Sequence, residues 1–226
     1  MEIPVMRPIL LVLLTCPTAL GQAPSEDSVA VARRFMPPNA ELAELYKVSY
    51  NPWKVENRPA VLTAHILGSG SHDIVFAYYS PQMHVLEKTL FLDVLHRAGD
   101  DYEKVYEVSY RSQLFFVPDA MRIIALPGAD AEAIAVMVGM GASLGGHLDI
   151  YLWRGLPGWQ NIFPPNGSME YFYFYPIATG FQIALSAAHQ PGKGALPAPD
   201  PPPLWFRWEG AQFVKAPGPV QPRSGK

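Results

Sequence analysis

One pattern of residues occurs three times along the chain, and this repetition limits the possible folds more than any other feature. Each copy has an apolar run rich in β-branched and aromatic residues, then a loop, then a second run of the same kind. The second runs contain Leu92, Leu148 and Leu204, which follow one another at equal intervals. A repeat of this length indicates several equivalent units instead of one undivided core. The first runs span residues 70–78, 130–138 and 179–187, and the second runs span residues 91–97, 147–153 and 203–208.

A glycine and then an aromatic residue follow each second run. Glycine is favoured in a tight hairpin because it adopts a positive φ without steric cost. Each unit is therefore predicted to be a four-stranded antiparallel meander, in the order strand, turn, strand, loop, strand, glycine hairpin, strand. The fold class that follows is all-β, with about three such units. The glycines are Gly99, Gly155 and Gly210, and the aromatic residues are Tyr102, Trp159 and Phe213.

Alternation within the strands indicates how the units are stabilised. In residues 147–152, His147, Asp149 and Tyr151 alternate with leucine and isoleucine, so the two sets are predicted to point to opposite sides of a strand. A lone meander leaves an apolar face exposed to water. The units are therefore expected to stack on one another.

Composition agrees with a folded β protein. The chain has 226 residues, of which 49% are hydrophobic and 16% charged, so it suits one domain or two small ones and is not disordered throughout. The net charge is −3, and the scattered lysines and arginines form no surface for nucleic acid. The 24 prolines and 18 glycines indicate many turns and little helix. One short helix is predicted at residues 26–36, with acidic residues early and arginines late.

The first residues have the features of a secretory signal peptide at 1–21. Arg7 precedes the apolar run 8–14, and the small residue Gly21 precedes a cleavage point before Gln22. The apolar run is shorter than the ~20 residues that cross a bilayer, and no later stretch reaches that length without charges, glycine or proline. The mature protein is therefore expected to be secreted or periplasmic, with no membrane span.

The single cysteine, Cys16, lies within this leader. Residues 13–16 resemble a bacterial lipoprotein box, but Thr15 stands where glycine, alanine or serine is required, and Pro17 follows the cysteine. Cleavage before Gln22 is favoured over lipidation at Cys16. It leaves the exported chain without a disulfide or a thiol nucleophile.

Residues 148–155, Leu-Asp-Ile-Tyr-Leu-Trp-Arg-Gly, are similar to a repeat motif that reads Leu-x-Val-Tyr-x-Trp-x-Gly. On this motif the chain resembles the FG-GAP/VCBS group of integrin-α-like β-propeller repeats, over residues 59–215. The resemblance implies propeller-like blades of four strands. The organisation expected is a signal peptide at 1–21, a helix and extended lead-in at 22–58, repeats at 59–110, 111–165 and 166–215, and a disordered tail at 216–226.

In that family, an acidic loop after the first strand of a blade binds calcium through oxygen ligands. The three copies in this chain lack these acidic side chains, although the first copy keeps two glycines and Asp73. No metal site and no cofactor is therefore predicted. The ligand positions hold His65, Leu67 and Ser69 in the first copy, Ala125, Pro127 and Ala129 in the second, and Phe174, Pro176 and Ala178 in the third.

The number of copies leaves the closure of the array open. Closed propellers have about four to eight blades, and residues 37–58 are too few for a fourth. An irregular N-terminal segment can complete a ring, the units can form an open stack, or two chains can combine as a homo-oligomer. In an open array, a partner subunit or the proline-rich loop 190–203 is expected to cover the unpaired edges.

An enzyme-like motif occurs at residues 141–145, which read Gly-Ala-Ser-Leu-Gly. In an α/β-hydrolase, Ser143 of this G-x-S-x-G motif would be the nucleophile, with His189 and either Asp149 or Glu170 completing a triad. That geometry requires a helix after the motif, whereas an alternating strand follows it. A flexible loop between two strands is favoured, and the missing helix also argues against a phosphate-binding loop.

The other polar candidates have no spacing typical of a catalytic or metal site. The histidines lack a motif such as H-E-x-x-H, but His65 and His72 flank one turn, where a metal pair is the alternative to ordinary loop histidines. No carboxylate pair for glycoside cleavage can be selected, because the candidates lie in separate segments. The histidines are His65, His72, His84, His96, His147 and His189, and the carboxylates are Asp73, Asp93, Asp149 and Glu170.

Two aromatic clusters occupy residues 171–175 and 205–208. Because alternate residues of a strand face opposite sides, about half of each cluster is predicted to lie in the core. The other half is exposed or covered by a neighbouring unit. Packing between units is favoured over a platform for a ligand.

These features predict an exported, non-enzymatic binding or scaffolding module without catalytic residues. Its partner is expected to be a protein or glycan of the cell envelope, bound by loops on rigid sheets. The alternatives are a secreted serine hydrolase that uses Ser143, and a carbohydrate-binding module in which rings such as that of Trp205 bind sugars.

Overall fold

The computed structural model describes residues 26–50, 53–80, 89–114, 120–139, 146–155, 158–166, 169–177, 180–187 and 203–218. Most of these residues are in strands, and the prediction of an all-β fold with one short helix is confirmed. The elements are α1 (Glu26–Phe35), β1 (Glu41–Leu42), β2 (Glu44–Tyr50), β3 (Trp53–Pro59), β4 (Val61–Ala64), β5 (Asp73–Tyr79), β6 (Leu90–Ala98), β7 (Asp101–Tyr110), β8 (Gln113–Leu114), β9 (Met121–Ala125), β10 (Glu132–Gly139), β11 (Gly146–Trp153), β12 (Trp159–Asn161), β13 (Met169–Ile177), β14 (Gly180–Ala187), β15 (Leu204–Trp208) and β16 (Phe213–Ala216).

Twelve of the sixteen described strands form three antiparallel meanders of four strands each. Unit 1 consists of β4 to β7, unit 2 of β9 to β12, and unit 3 of β13 to β16. The third and fourth strands of each unit are joined through a glycine with φ of 66° at Gly99, 68° at Gly155 and 80° at Gly210. These are the glycine hairpins that the sequence predicts.

Three apolar clusters determine the order in which the layers pack. One cluster joins Ala32 of α1 to Phe76 of unit 1. The second joins unit 1 to unit 2 and includes Val136, and the third joins unit 2 to unit 3 and includes Ile150 and Ile183. The layers therefore follow the order α1, unit 1, unit 2, unit 3. Within the described residues, no sheet closes into a ring.

Unit 2 lies in the middle of this stack, and its strands are apolar on both faces. Along β10, the residues from Ala133 to Gly139 are all buried. A strand covered on both faces has a continuous apolar run instead of strict alternation. Burial of both faces is the main stabilising contribution expected for such a layer.

Two asparagine side chains form hydrogen bonds with the backbone of β11, at the edge where β12 ends and β13 begins. The Asn166 side chain donates to the Leu148 carbonyl at 2.8 Å and accepts from the Leu148 amide at 2.9 Å. The Asn161 Oδ1 accepts from the Ile150 amide at 3.2 Å. Strand β13 then pairs with β11 at one position, Met169 with Gly146. These contacts satisfy buried backbone groups where unit 2 passes into unit 3.

Residues 217–218 lie across the outer face of unit 3. The Gln182 Nε2 donates to the Pro217 carbonyl at 3.5 Å, and a Cβ built on Gly218 would lie 2.7 Å from the Trp205 Nε1. Thus α1 covers one end of the stack and this segment contacts the other. Strand β16 ends at Ala216, the residue at which the disordered tail is predicted to begin, and residues 219–226 lie outside the described chain.

Leu204 does not occupy the environment that its spacing predicts. Leu92 and Leu148 are fully buried, and each faces the following unit. Leu204 is 40% exposed, and its cross-strand partner Leu185 belongs to the cluster between units 2 and 3. Leu204 therefore faces back toward unit 2. A shift of one residue turns a strand's side chains to the opposite face. In unit 3, Trp205 therefore faces away from unit 2, on the side that Leu204 was predicted to occupy.

The segment before unit 1 contains more strand structure than the extended lead-in predicted for residues 22–58. Strand β1 pairs with the end of β5, at Tyr78 and Tyr79, and β2 pairs with β3 along its whole length. Its residue Leu45 is fully buried in the cluster between units 1 and 2. The dipeptide Asn51-Pro52 lies between two runs that each contain an aromatic residue and a valine, and it is a turn signal that would have indicated this hairpin.

Candidate functional site

A polar cluster lies at the boundary between units 1 and 2, and we call it the seam cluster. It consists of Tyr110 on β7, Asn161 on β12, and His147, Asp149 and Tyr151 on β11. The last three alternate along the strand and share one side of it, as predicted. This side faces unit 1. The sequence does not identify Tyr110 or Asn161, because strand pairing brings them to the cluster from other strands.

The seam cluster is a chain of hydrogen bonds that ends on the Asp149 carboxylate. The Tyr110 hydroxyl donates to the Tyr151 hydroxyl at 2.7 Å, and the Tyr151 hydroxyl donates to Asp149 Oδ2 at 3.3 Å. The His147 Nε2 lies 3.5 Å from the same oxygen. The Asn161 amide donates to Asp149 Oδ1 at 2.8 Å. Both carboxylate oxygens therefore have partners within the protein.

These contacts set the charges of the cluster. Burial alone would raise the pKa of Asp149, but the hydrogen bonds from His147 and Asn161 outweigh it and lower that pKa below 3.8. Contact with Asp149 raises the pKa of His147 above 6.5, although burial opposes this shift. Burial raises the pKa of both Tyr110 and Tyr151 well above 10. At neutral pH the cluster contains a carboxylate and two protonated phenols.

Aromatic rings continue the contact between units 1 and 2. The rings of Tyr106 and Trp159 stack with their centroids 4.4 Å apart, and Trp153 lies 5.7 Å from Trp159. All three pack against the apolar cluster between the two units. Burial, with a smaller effect from the Asp149 charge, raises the pKa of Tyr106 to about 12.

The arrangement is suited to joining two sheets and not to nucleophilic chemistry. Its phenols stay protonated, so they donate hydrogen bonds and are weak nucleophiles. Its carboxylate already accepts hydrogen bonds from Tyr151 on β11 and Asn161 on β12. Tyr151 in turn accepts a hydrogen bond from Tyr110 on β7. The remaining titratable group near neutral pH is His147, which is half-buried beside Asp149. The seam cluster can therefore change its charge as the pH changes.

A second polar network holds the loop at residues 65–73. The Asp73 Oδ2 accepts from the amides of Ile66 at 2.6 Å and Leu67 at 3.0 Å, and from the Ser71 hydroxyl at 2.5 Å. The Asp73 Oδ1 lies 2.7 Å from His96 Nδ1. This buried carboxylate organises the turn from inside, by accepting several hydrogen bonds at its centre.

The histidines of that loop contact protein groups. His65 Nδ1 contacts the Ser71 carbonyl, and the His65 amide donates to Glu132 Oε2 of unit 2 at 2.7 Å. The His65 and His72 rings are 5.8 Å apart. Across the described residues, no group of three or more His, Cys, Asp or Glu side chains is placed to hold a metal ion.

The carboxylates singled out in the sequence occupy separate networks. Asp73 holds the loop at 65–73, Asp149 holds the seam cluster, and Asp93 is buried within unit 1 beside Lys104. The side chain of Glu170 lies outside the described part of the chain. The same holds for four other predicted features in full: the Ser143 motif at 141–145, the histidines His84 and His189, Cys16, and the signal peptide.

The aromatic cluster at residues 205–208 is divided as predicted. Phe206 is buried between units 2 and 3, and Trp208 packs beside it and donates to the Pro127 carbonyl at 3.0 Å. Trp205 is on the opposite side and half-buried near Gly218. The side chains of residues 171–175 lie outside the described set, so their division stays a prediction.

The strands of the three units finish at the same two ends of the stack. The end at which β5, β10 and β14 finish, which we call the loop end, is aligned by backbone pairing of Gly139 with Gly146, Gly146 with Met169, and Met169 with Ala187. Unit 1 contacts these paired residues at the same end, because the Tyr79 hydroxyl accepts a hydrogen bond from the Leu114 amide at 3.2 Å.

Contacts between units also occur at the opposite end, which we call the turn end. There His65 contacts Glu132, and Trp208 contacts Pro127. Arg154 also donates to the Ala211 carbonyl. The turn end is therefore used for contacts between the units.

No protein-family model matches the chain, and no curated protein matches it. Within the residues whose structure is described, no helix has the length and apolar character needed to cross a membrane.

Proposed function

We propose that this chain is an exported, non-enzymatic binding or scaffolding module built from FG-GAP/VCBS-like repeats. It binds a protein or glycan of the cell envelope through the loop end of the stack. The observation that carries this proposal is that β5, β10 and β14 all finish at that end. The segments that follow them, residues 81–88, 140–145 and 188–202, connect the second and third strands of each unit.

Loops carried at one end of a rigid sheet stack are a common basis for recognition. The sheets fix the positions at which the loops begin, and the loops vary in sequence without disturbing the core. Here the apolar clusters on both faces of unit 2 fix the three units relative to one another. A partner at the loop end would therefore meet segments from all three repeats.

The polar contacts of the described residues favour this end over the other candidates. In the seam cluster, both oxygens of Asp149 already have protein donors. At the turn end, His65, Glu132 and Arg154 are engaged in contacts between units. These groups stabilise the stack.

Site-specific photo-crosslinking tests the proposal. A photoreactive residue is introduced at Gln113, which is exposed and pairs with Gly139 at the loop end. The matched control is Gln212, which is exposed in the hairpin between β15 and β16 at the turn end. Irradiation in the native envelope fraction is expected to give a defined adduct with the Gln113 probe and none with the Gln212 probe. Adducts at Gln212 alone would contradict the assignment of the loop end.

The enzymatic alternative has its own test. Stoichiometric labelling by a fluorophosphonate probe that Ser143→Ala abolishes would show a serine nucleophile and contradict a non-enzymatic role. The expected result is no labelling above that of the Ser143→Ala variant. A glycan array then distinguishes a sugar ligand from a protein partner, with Trp205→Ala as the variant that tests an aromatic contribution to sugar binding.

A further inference from the structure

Three side chains of unit 1 form a compact group on its hairpin of β6 and β7. The Lys104 Nζ lies 2.7 Å from Asp93 Oδ2 and 2.8 Å from Glu107 Oε2. Asp93 is on β6, and the other two residues are on β7. An amine, a carboxyl group and a second carboxylate are thus in contact at one point.

A β-bulge brings Lys104 into this group. Asp93 pairs with Glu107, and Leu95 pairs with Lys104, so that the register shifts by one residue between them. Without the shift, Lys104 and Glu107 would face opposite sides of β7 because their separation is odd. Bulges redirect single side chains and are frequent beside functional groups. Here the bulge directs the amine toward the same carboxyl group as Glu107.

The Asp93 carboxyl group is in an environment that disfavours charge. Its side chain is 0% exposed, its cross-strand partner is the buried Phe76, and its polar neighbours are Lys104 and the Tyr78 hydroxyl. Burial raises the pKa of Asp93 above 3.8 even though Lys104 opposes the shift. A buried ion pair with incomplete hydrogen bonding is a poor source of stability, because desolvation offsets the attraction.

We propose that Lys104 and Asp93 form an intramolecular amide bond, with Glu107 as the catalytic proton carrier. Such a bond would join β7, an edge strand of the described sheet, covalently to β6. It would replace a buried ion pair by a neutral amide. The only cysteine is Cys16, so this link would give an exported chain a staple that needs no disulfide.

The reaction is a condensation that releases one water molecule. Glu107 takes a proton from the Lys104 ammonium, and the neutral amine attacks Cγ of the protonated Asp93 to form the new C–N bond. Glu107 then returns this proton to the leaving hydroxyl, the C–O bond breaks, and water departs. The nitrogen gives its remaining extra proton to the Glu107 carboxylate, which leaves a neutral amide. No oxidant, reductant or cofactor is required. The reactants are held on adjacent strands at contact distance, which removes most of the entropic cost of bringing them together.

Mass spectrometry of the full chain tests the proposal. The measured mass of the purified protein is expected to be lower than the mass calculated from the sequence between the termini of the purified chain. The difference expected is one water molecule, about 18 Da. Trypsin should not cleave after Lys104, and residues 89–97 should be recovered in a branched peptide joined to residues 98–111. The unmodified mass together with separate linear peptides would overturn the proposal and leave an ordinary ion pair.

Two variants of β7 separate catalysis from folding. Glu107→Gln removes the proton carrier at a half-exposed position, and it is expected to give the unmodified mass while unfolding cooperatively like a folded protein. The control is Glu103→Gln, an exposed position opposite His96, which is expected to keep the mass deficit. Persistence of the full deficit in Glu107→Gln would overturn the role of Glu107.

Discussion

At the residue scale, the Asp149 carboxylate determines the properties of the seam cluster. It accepts hydrogen bonds from Asn161 at 2.8 Å and from Tyr151 at 3.3 Å, and it lies 3.5 Å from the His147 ring. These partners come from β11 and β12, and Tyr110 adds a contact from β7 through Tyr151. A single carboxylate thus links the fourth strand of unit 1 to unit 2.

The seam cluster is expected to make stability depend on pH. The pKa of His147 is raised by folding, so its contribution is fully present below 6.5 and is lost as the pH rises through the raised value. The pKa of Asp149 is lowered by folding, so its contribution is present above 3.8 and is lost as the pH falls through the lowered value. The pair therefore stabilises the fold most between pH 3.8 and 6.5.

Urea unfolding at a series of pH values measures this dependence. The difference in unfolding free energy between the wild type and His147→Gln should be largest at about pH 5, between 3.8 and 6.5, and should shrink as the pH rises toward about 9. His72→Gln, which replaces an exposed histidine outside the seam cluster, is the control. A constant difference between the wild type and His147→Gln over the whole range would show that the His147–Asp149 contact makes no contribution.

At the scale of single elements, local signals in the sequence predicted the positions of the strands better than the face of the sheet on which each side chain lies. The glycines at 99, 155 and 210 marked three hairpins, and alternation placed His147, Asp149 and Tyr151 on one side of β11. Pairing register was not predictable, because it depends on contacts between distant residues. The orientation of Leu204, the bulge beside Lys104 and the positions of Tyr110 and Asn161 all depend on register.

The different orientations of the repeat leucines predict different costs of truncation. Leu148→Ala removes a fully buried side chain between units 2 and 3, and it should cost about 2–5 kcal/mol of unfolding free energy. Leu204→Ala changes a residue that is 40% exposed, and it should cost about 1 kcal/mol or less. Denaturant unfolding of both variants measures the difference. Equal costs would contradict the assignment of opposite faces in units 2 and 3.

At the scale of the whole molecule, the stack explains how three incomplete units form one protein. Unit 1 is covered by α1 on one face and by unit 2 on the other, and unit 2 is covered on both faces. Terminal units of a repeat array need a cover because their outer faces have no neighbouring unit. The sequence indicated equivalent stacked units, but the number of copies alone did not distinguish an open array from a ring or a dimer. The described sheets form an open series.

Nuclear Overhauser contacts between methyl groups of isoleucine, leucine and valine test this layer order most directly. Contacts are predicted from Val136 to methyl groups of unit 1, and from Ile150 to methyl groups of unit 3, since these residues belong to the two different apolar clusters of unit 2. No contacts are predicted between the methyl groups of unit 1 and those of unit 3. Direct contacts between units 1 and 3, or contacts from Val136 and Ile150 to the same unit, would contradict the open stack.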